Sequence, residues 1–165
     1  MSKIENFIKE RNACLLSDEL LLKQCKWDFF RSTGKGGQKK NKTDSAARIT
    51  HIPTEISTTA GNSRSKKENQ LKALRSLKLQ IAFNIRKIPP SIWKGSLNLN
   101  PSNPKYPLMV ASVFDCLATS DFAVGKAALI LNISTGQLIK FLKKNTQIWQ
   151  EVNEKRKLLN LKALI

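Results

Sequence analysis

Ala47-Arg48-Ile49-Thr50-His51-Ile52, a break at Pro53-Thr54, then Ile56-Ser57-Thr58-Thr59: two short β-forming runs either side of a proline decide how this chain folds. The first run alternates apolar and polar residues, as a strand with one buried face must, and proline cannot donate to a strand ladder. Together they predict a hairpin. Upstream, Cys25-Lys26-Trp27-Asp28-Phe29-Phe30-Arg31 alternates and is aromatic, which predicts another strand. Ser17 and Asp18 are helix-capping types ahead of Glu19-Leu20-Leu21-Leu22, so a short helix or turn should lead into it. Downstream, from Ser63 to Arg86, Leu71, Leu74, Leu77, Ile81 and Ile85 recur at helical spacing among Arg64, Lys66, Lys67, Lys72, Arg75 and Lys78. The expected fold class is therefore α+β, a small antiparallel sheet packed by an amphipathic helix.

Residues 89–107 hold Pro89, Pro90, Pro101, Pro104 and Pro107 with Gly95 and several asparagines, which is linker composition. Beyond them the pattern is all helical: Leu108 to Ala118, Phe122 to Leu131 behind the N-cap candidate Asp121, Thr135 to Lys143 behind Ser134, and a last helix through Trp149. The short Asn132-Ile133-Ser134 connection resembles a helix-turn-helix. Leu138, Phe141, Leu142 and Trp149 are expected in its core, and Lys140, Lys143, Lys144, Lys155, Arg156 and Lys157 form a basic rim. The expected organisation is a domain over 1–88, a linker over 89–107 and a small all-α unit over 108–165.

The chain has 29 Lys and Arg against 12 acidic residues, a formal net charge of +17. Such a field draws polyanions, and nucleic acid is the simplest partner. Residues 31–87 carry fourteen of the cations against Asp44, Glu55 and Glu68, so the partner should dock on the first half. No run is long and apolar enough for a membrane-spanning helix, and MSKIENFIKERN lacks the apolar core of a secretory signal. Cys14, Cys25 and Cys116 lack the spacing of a zinc or redox motif and read as reduced thiols. A cytoplasmic monomer with no metal and no cofactor is expected.

Between the first two strands lies Ser32-Thr33-Gly34-Lys35-Gly36-Gly37-Gln38-Lys39-Lys40-Asn41-Lys42, with three glycines, four lysines and no apolar anchor. It predicts an exposed loop. A phosphate-cradling nucleotide loop is excluded, because the Gly-x-x-x-x-Gly-Lys-Ser/Thr pattern is absent. Arg31-Ser32-Thr33-Gly34-Lys35-Gly36-Gly37-Gln38, the following Thr43-Asp44-Ser45-Ala46-Ala47-Arg48-Ile49-Thr50-His51-Ile52-Pro53-Thr54, and then Asn62-Ser63-Arg64-Ser65 and Glu68-Asn69 resemble the catalytic domain of class I peptide chain release factors. The resemblance runs over roughly residues 17 to 85. It departs at Glu55, where the family usually has glycine, so the turn is expected to differ locally.

The resemblance implies a ribosome-dependent peptidyl-tRNA hydrolase whose catalytic residues are Gly36, Gly37 and Gln38. The glycines permit close backbone approach to the terminal adenosine. The Gln38 backbone N–H stabilises the oxyanion, and its side chain admits water while excluding larger nucleophiles. No protein general base is implied, and His51 reads as packing or an RNA contact. Arg31, Lys35, Lys39, Lys40, Lys42, Arg48, Arg64, Lys66 and Lys67 would neutralise RNA phosphates. The implied partners are the ribosome, at the large-subunit rRNA of the peptidyl-transferase centre, peptidyl-tRNA, and a glutamine methyltransferase acting on Gln38. The sequence shows no codon-reading domains, so it is similar to the short, codon-independent members that rescue stalled ribosomes. Two alternatives stand beside this: a helix-turn-helix regulator reading bases through Thr135, Gln137 and Lys140, and a non-catalytic rRNA-binding factor.

Overall fold

The computed structural model describes residues 2–31, 44–89 and 97–165. These divide into two compact units, Met1–Ile85 and Arg86–Ile165. The first unit is α+β and the second is all helical, in agreement with the expected class.

In the first unit, helix α1 (Lys3–Leu16) and the short α2 (Asp18–Leu22) precede β1 (Cys25–Phe30), β2 (Ala46–His51) and β3 (Ser57–Ala60), and α3 (Lys66–Asn84) follows. The strands form an antiparallel sheet in the order β1-β2-β3, with Trp27 opposite Ile49 and Ile49 opposite Thr58. Strand alternation places Cys25, Trp27, Phe29, Ala47, Ile49, His51 and Thr58 on one face. Both long helices pack there: the Thr58 hydroxyl donates to the Ala73 carbonyl of α3 (2.8 Å), and Phe7 of α1 lies 4.2 Å from the His51 ring, centroid to centroid. The opposite face carries Lys26, Asp28, Phe30, Arg48, Thr50, Ser57 and Thr59.

Helix α1 was not predicted, although its N-terminus bears a capping box. The Ser2 hydroxyl accepts from the Glu5 backbone N–H, and the Glu5 carboxylate accepts from that of Ser2. It buries Phe7, Arg11, Cys14 and Leu15, with Arg11 Nη1 donating to the Ile85 carbonyl (2.8 Å). Helix α3 starts later than expected, at Lys66, because Ser65 caps it by accepting from the Glu68 N–H. Leu74, Leu77 and Ile81 are buried as predicted, but Leu71 is exposed, and its place in the core-facing stripe is taken by Ala73, Asn69 and the aliphatic stem of Lys78. The Lys78 ammonium reaches Asp18.

In the second unit, α4 (Tyr106–Thr119), α5 (Val124–Ile130), α6 (Thr135–Lys143) and α7 (Thr146–Leu158) run in sequence. Asp121 does not cap α5. It adopts φ 49° just past the end of α4, its N–H donating to Ala118 O (3.1 Å) and that of Phe122 to Leu117 O (2.7 Å). This is a left-handed helix stop, and a short polar side chain tolerates that conformation. Helix α5 consequently starts at Val124. The α5–α6 turn repeats the device at Asn132 (φ 52°), then restarts on a Ser134–Gln137 capping box. No helix among the described residues is long and apolar enough to cross a membrane.

Candidate functional site

The predicted catalytic residues Gly36, Gly37 and Gln38, with Lys35, Lys39, Lys40 and Lys42, lie outside the described residues. The frame that carries both ends of their segment is described. The last rung of the β1–β2 ladder pairs Phe30 with Ala46. Immediately beyond it, Arg31 Nε meets Asp44 Oδ1 at 3.1 Å across the mouth of the connection. Both side chains are more than half exposed, at 66% and 59%, so solvent screening leaves this pair worth at most about 1 kcal/mol.

A stronger tie lies beneath it. Asn69, fully buried in the first turns of α3, donates through Nδ2 to the carbonyls of Ser45 (2.7 Å) and Ser63 (2.9 Å) and accepts from the Ser63 N–H (3.0 Å). One amide thereby joins the end of the connection, the Asn62-Ser63-Arg64-Ser65 turn and the main helix. The turn is knitted further by Ser63 Oγ, which donates to Glu68 and accepts from the Ser65 N–H (3.1 Å). Hydrogen bonds from Lys72 and Ser63 hold the Glu68 carboxyl below its ordinary pKa. In the sequence, Asn69 and Glu68 stand out by resemblance alone, and the structure supplies their physical role.

The described candidate cations surround this base. Arg48 is exposed on the open sheet face, its guanidinium 5.3 Å from the Phe30 ring centroid. On the helical face, the Lys66 ammonium sits 3.5 Å over the ring of Phe29, which stacks parallel to Trp27 with centroids 6.0 Å apart. Arg64 and Lys67 are exposed at the start of α3. Arg31, Arg48, Arg64, Lys66 and Lys67 thus lie on segments that meet at the base of one connection. The two cation–aromatic pairs were missed by sequence reasoning, whose only cue was the run of three aromatics in β1.

His51 is buried, with both ring nitrogens engaged. Gln24 Nε2 donates to Glu10 Oε2 (3.0 Å), which turns Gln24 Oε1 toward His51 Nε2 (3.0 Å). The ring proton therefore sits on Nε2, and Nδ1 accepts from the Thr54 hydroxyl (2.8 Å). Burial lowers the imidazole pKa to about 4. His51 is thus a packing residue, the first of the two roles expected of it, and its burial rules out the other, an RNA contact. The thiols are equally inert: burial pushes Cys25 and Cys116 up to about 11 and raises Cys14. All three cysteines are free. No cluster of three His, Cys, Asp or Glu side chains among the described residues can hold a metal. Among the described residues, the frame offers a hydrogen-bonded base at both ends of the β1–β2 connection and exposed cations that attract polyanions.

Glu55, where the resemblance departs in sequence, has a φ of 58°. Glu55 thus holds a left-handed conformation that glycine would favour, at a cost of about 1–2 kcal/mol.

Residues 18–90 match the protein-family description "RF-1 domain". Among curated proteins, the chain is 51% identical over 59 residues to peptide chain release factor 1 of Chlamydia felis, covering 36% of this chain and 16% of that protein. It is 48% identical over 59 residues to peptide chain release factor 2 of Helicobacter pylori, with the same coverage. It is 58% identical over 50 residues to peptide chain release factor 1 of Mycobacterium tuberculosis, covering 30% and 14%. The chain thus spans about a sixth of the length of these relatives.

Proposed function

We propose that residues 18–90, which match the description RF-1 domain, act as the catalytic domain of a class I peptide chain release factor, and that this protein hydrolyses the peptidyl-tRNA ester on the ribosome. The observation that carries this is the pairing of the Gly36-Gly37-Gln38 segment with a frame built to hold its ends, Arg31 on Asp44 and Asn69 on Ser45. Gly36 and Gly37 let the backbone approach the substrate, and the Gln38 N–H stabilises the oxyanion formed when water attacks the ester carbonyl. The Gln38 side chain shapes a pocket for that water and is the candidate site of methylation. The chain's one histidine is buried and neutral, which fits a mechanism in which the substrate's own ribose hydroxyl moves the proton. Arg31, Lys35, Lys39, Lys40, Lys42, Arg48, Arg64, Lys66 and Lys67 supply the RNA contacts.

We infer the codon-independent form of this reaction from the resemblance to the short members that rescue stalled ribosomes. The test is peptide release from ribosomes carrying a stop codon, a truncated message or no message. Release without a stop codon is expected, reduced at least a hundredfold by Gln38→Pro, which removes the oxyanion-binding N–H at a cost of about 10²–10³ in rate, and reduced by Gln38→Ala, which removes the side chain that shapes the water pocket, with ribosome binding kept in both. Release by Gln38→Ala at the wild-type rate would reject the catalytic assignment. Strict dependence on a stop codon would reject the rescue role alone.

A further inference from the structure

The helical unit carries twelve Lys and Arg over residues 86–165 against Asp115, Asp121, Glu151 and Glu154, and the structure sorts them by task. Several hold the fold. Arg86 bridges to Asp115 (3.4 Å) and lies over Phe114. Lys155 pairs with Glu151 (3.4 Å). Arg156 donates to the carbonyls of Phe122 and Lys162. Lys140, Lys143 and Lys144 are different. They stand at i, i+3 and i+4 at the end of α6, all exposed, on a helix without an acidic residue.

Beside them lies a cleft of about 380 Å³ lined by Lys143, Thr146, Trp149, Leu164 and Ile165. Its outer wall is held in place: Arg156 grips the Lys162 carbonyl, and Asn153 Oδ1 accepts from the Leu164 N–H (2.8 Å). Trp149, expected in the core with Leu138, Phe141 and Leu142, is instead half-exposed at this cleft, with the Lys143 ammonium 5.3 Å from its ring centroid. One place thus combines three exposed cations, an accessible indole and room beside it.

We propose that this corner of the helical unit binds single-stranded RNA, a base entering the cleft against Trp149 while Lys140, Lys143 and Lys144 neutralise the flanking phosphates. A flat π-surface beside several positive charges is the combination that single-stranded nucleic acid satisfies through stacking and phosphate contact. An acidic protein surface would satisfy only the lysines. Base reading in duplex DNA is disfavoured, because a recognition helix reads with its N-terminal residues, and there Gln137 is engaged in the capping box with Ser134. The cations sit at the opposite end of α6. RNA binding at this corner stands apart from the hydrolase reading and does not require it.

The test titrates the full chain with a fluorescein-labelled single-stranded RNA of about a dozen nucleotides, a length within known site sizes, and follows anisotropy across a salt series. Replacing all three lysines with glutamine should lower the slope of log affinity against log salt by about 2, at roughly 0.7 per phosphate contact. Trp149→Ala should weaken binding roughly tenfold, with Trp149→Phe retaining most of the affinity because any aromatic face can stack. Both effects should appear with the thermal transition unmoved. Unchanged slope and affinity in folded variants would overturn the proposal. So would a loss seen with polyglutamate and not with RNA.

Discussion

At the residue scale, His51 shows how burial assigns a role that residue type leaves open. Its ring is locked between Gln24 and Thr54 against Phe7, and its folded pKa of about 4 lies below the ordinary 6.5. The folded state therefore binds the imidazole proton less readily than the unfolded chain, so stability is complete above pH 6.5. It falls as the pH drops from there toward 4, by roughly 3 kcal/mol in all at about 1.4 kcal/mol per unit. The single histidine makes the NMR titration unambiguous. Its ring resonances should stay in the neutral position through pH 5, and a midpoint near 6.5 would contradict the buried network. Glu55 makes the complementary point: a residue type that disfavours φ 58° holds it because the Pro53-Thr54 turn and the His51 N–H to Ile56 carbonyl bond (2.9 Å) prescribe it.

Among elements, the sheet and α3 are joined at the connection by one amide, and that joint sets the next prediction. Asn69→Ala leaves the Ser45 carbonyl and both polar groups of Ser63 without their partner, where burial prevents full replacement by water. A loss of about 2–3 kcal/mol is expected by urea unfolding, the range for orphaning buried hydrogen-bonding groups. Arg31→Ala removes only an exposed pair and should change stability by under about 1 kcal/mol. Equal losses from the two substitutions would mean that Asn69 does not brace the connection as its geometry indicates. Helix α1 was missed for a reason of the same scale. Its buried stripe of Phe7, Arg11, Cys14 and Leu15 contains an arginine and a cysteine, so its apolar periodicity is diluted. The cue that was available was the Ser2–Glu5 spacing of a capping box.

For the whole molecule, each unit has its own buried core: Leu15, Leu21, Ile49, Leu77 and Ile81 in one, Val110, Phe114, Leu117, Leu138 and Leu142 in the other. Separate cores make separate cooperative units. Calorimetry should give a measured unfolding enthalpy larger than the van't Hoff value, and Asn69→Ala should move only one component. A single two-state transition shifted as a whole would show that the units unfold as one.

Local chemistry determined much of this protein by itself. Strand alternation, the proline break and the serine caps at Ser17 and Ser134 are properties of neighbouring residues, so the α+β class was legible in them, while the candidate chemistry of Gly36-Gly37-Gln38 was legible only through the family resemblance. The roles of His51, Asn69 and Trp149 were decided by tertiary structure alone. Each depends on groups distant in sequence, Phe7 and Gln24 for the histidine, Ser45 for the asparagine, Leu164 for the tryptophan. Burial and hydrogen bonding are relations between such groups, and composition and spacing carry no record of which of them folding brings together.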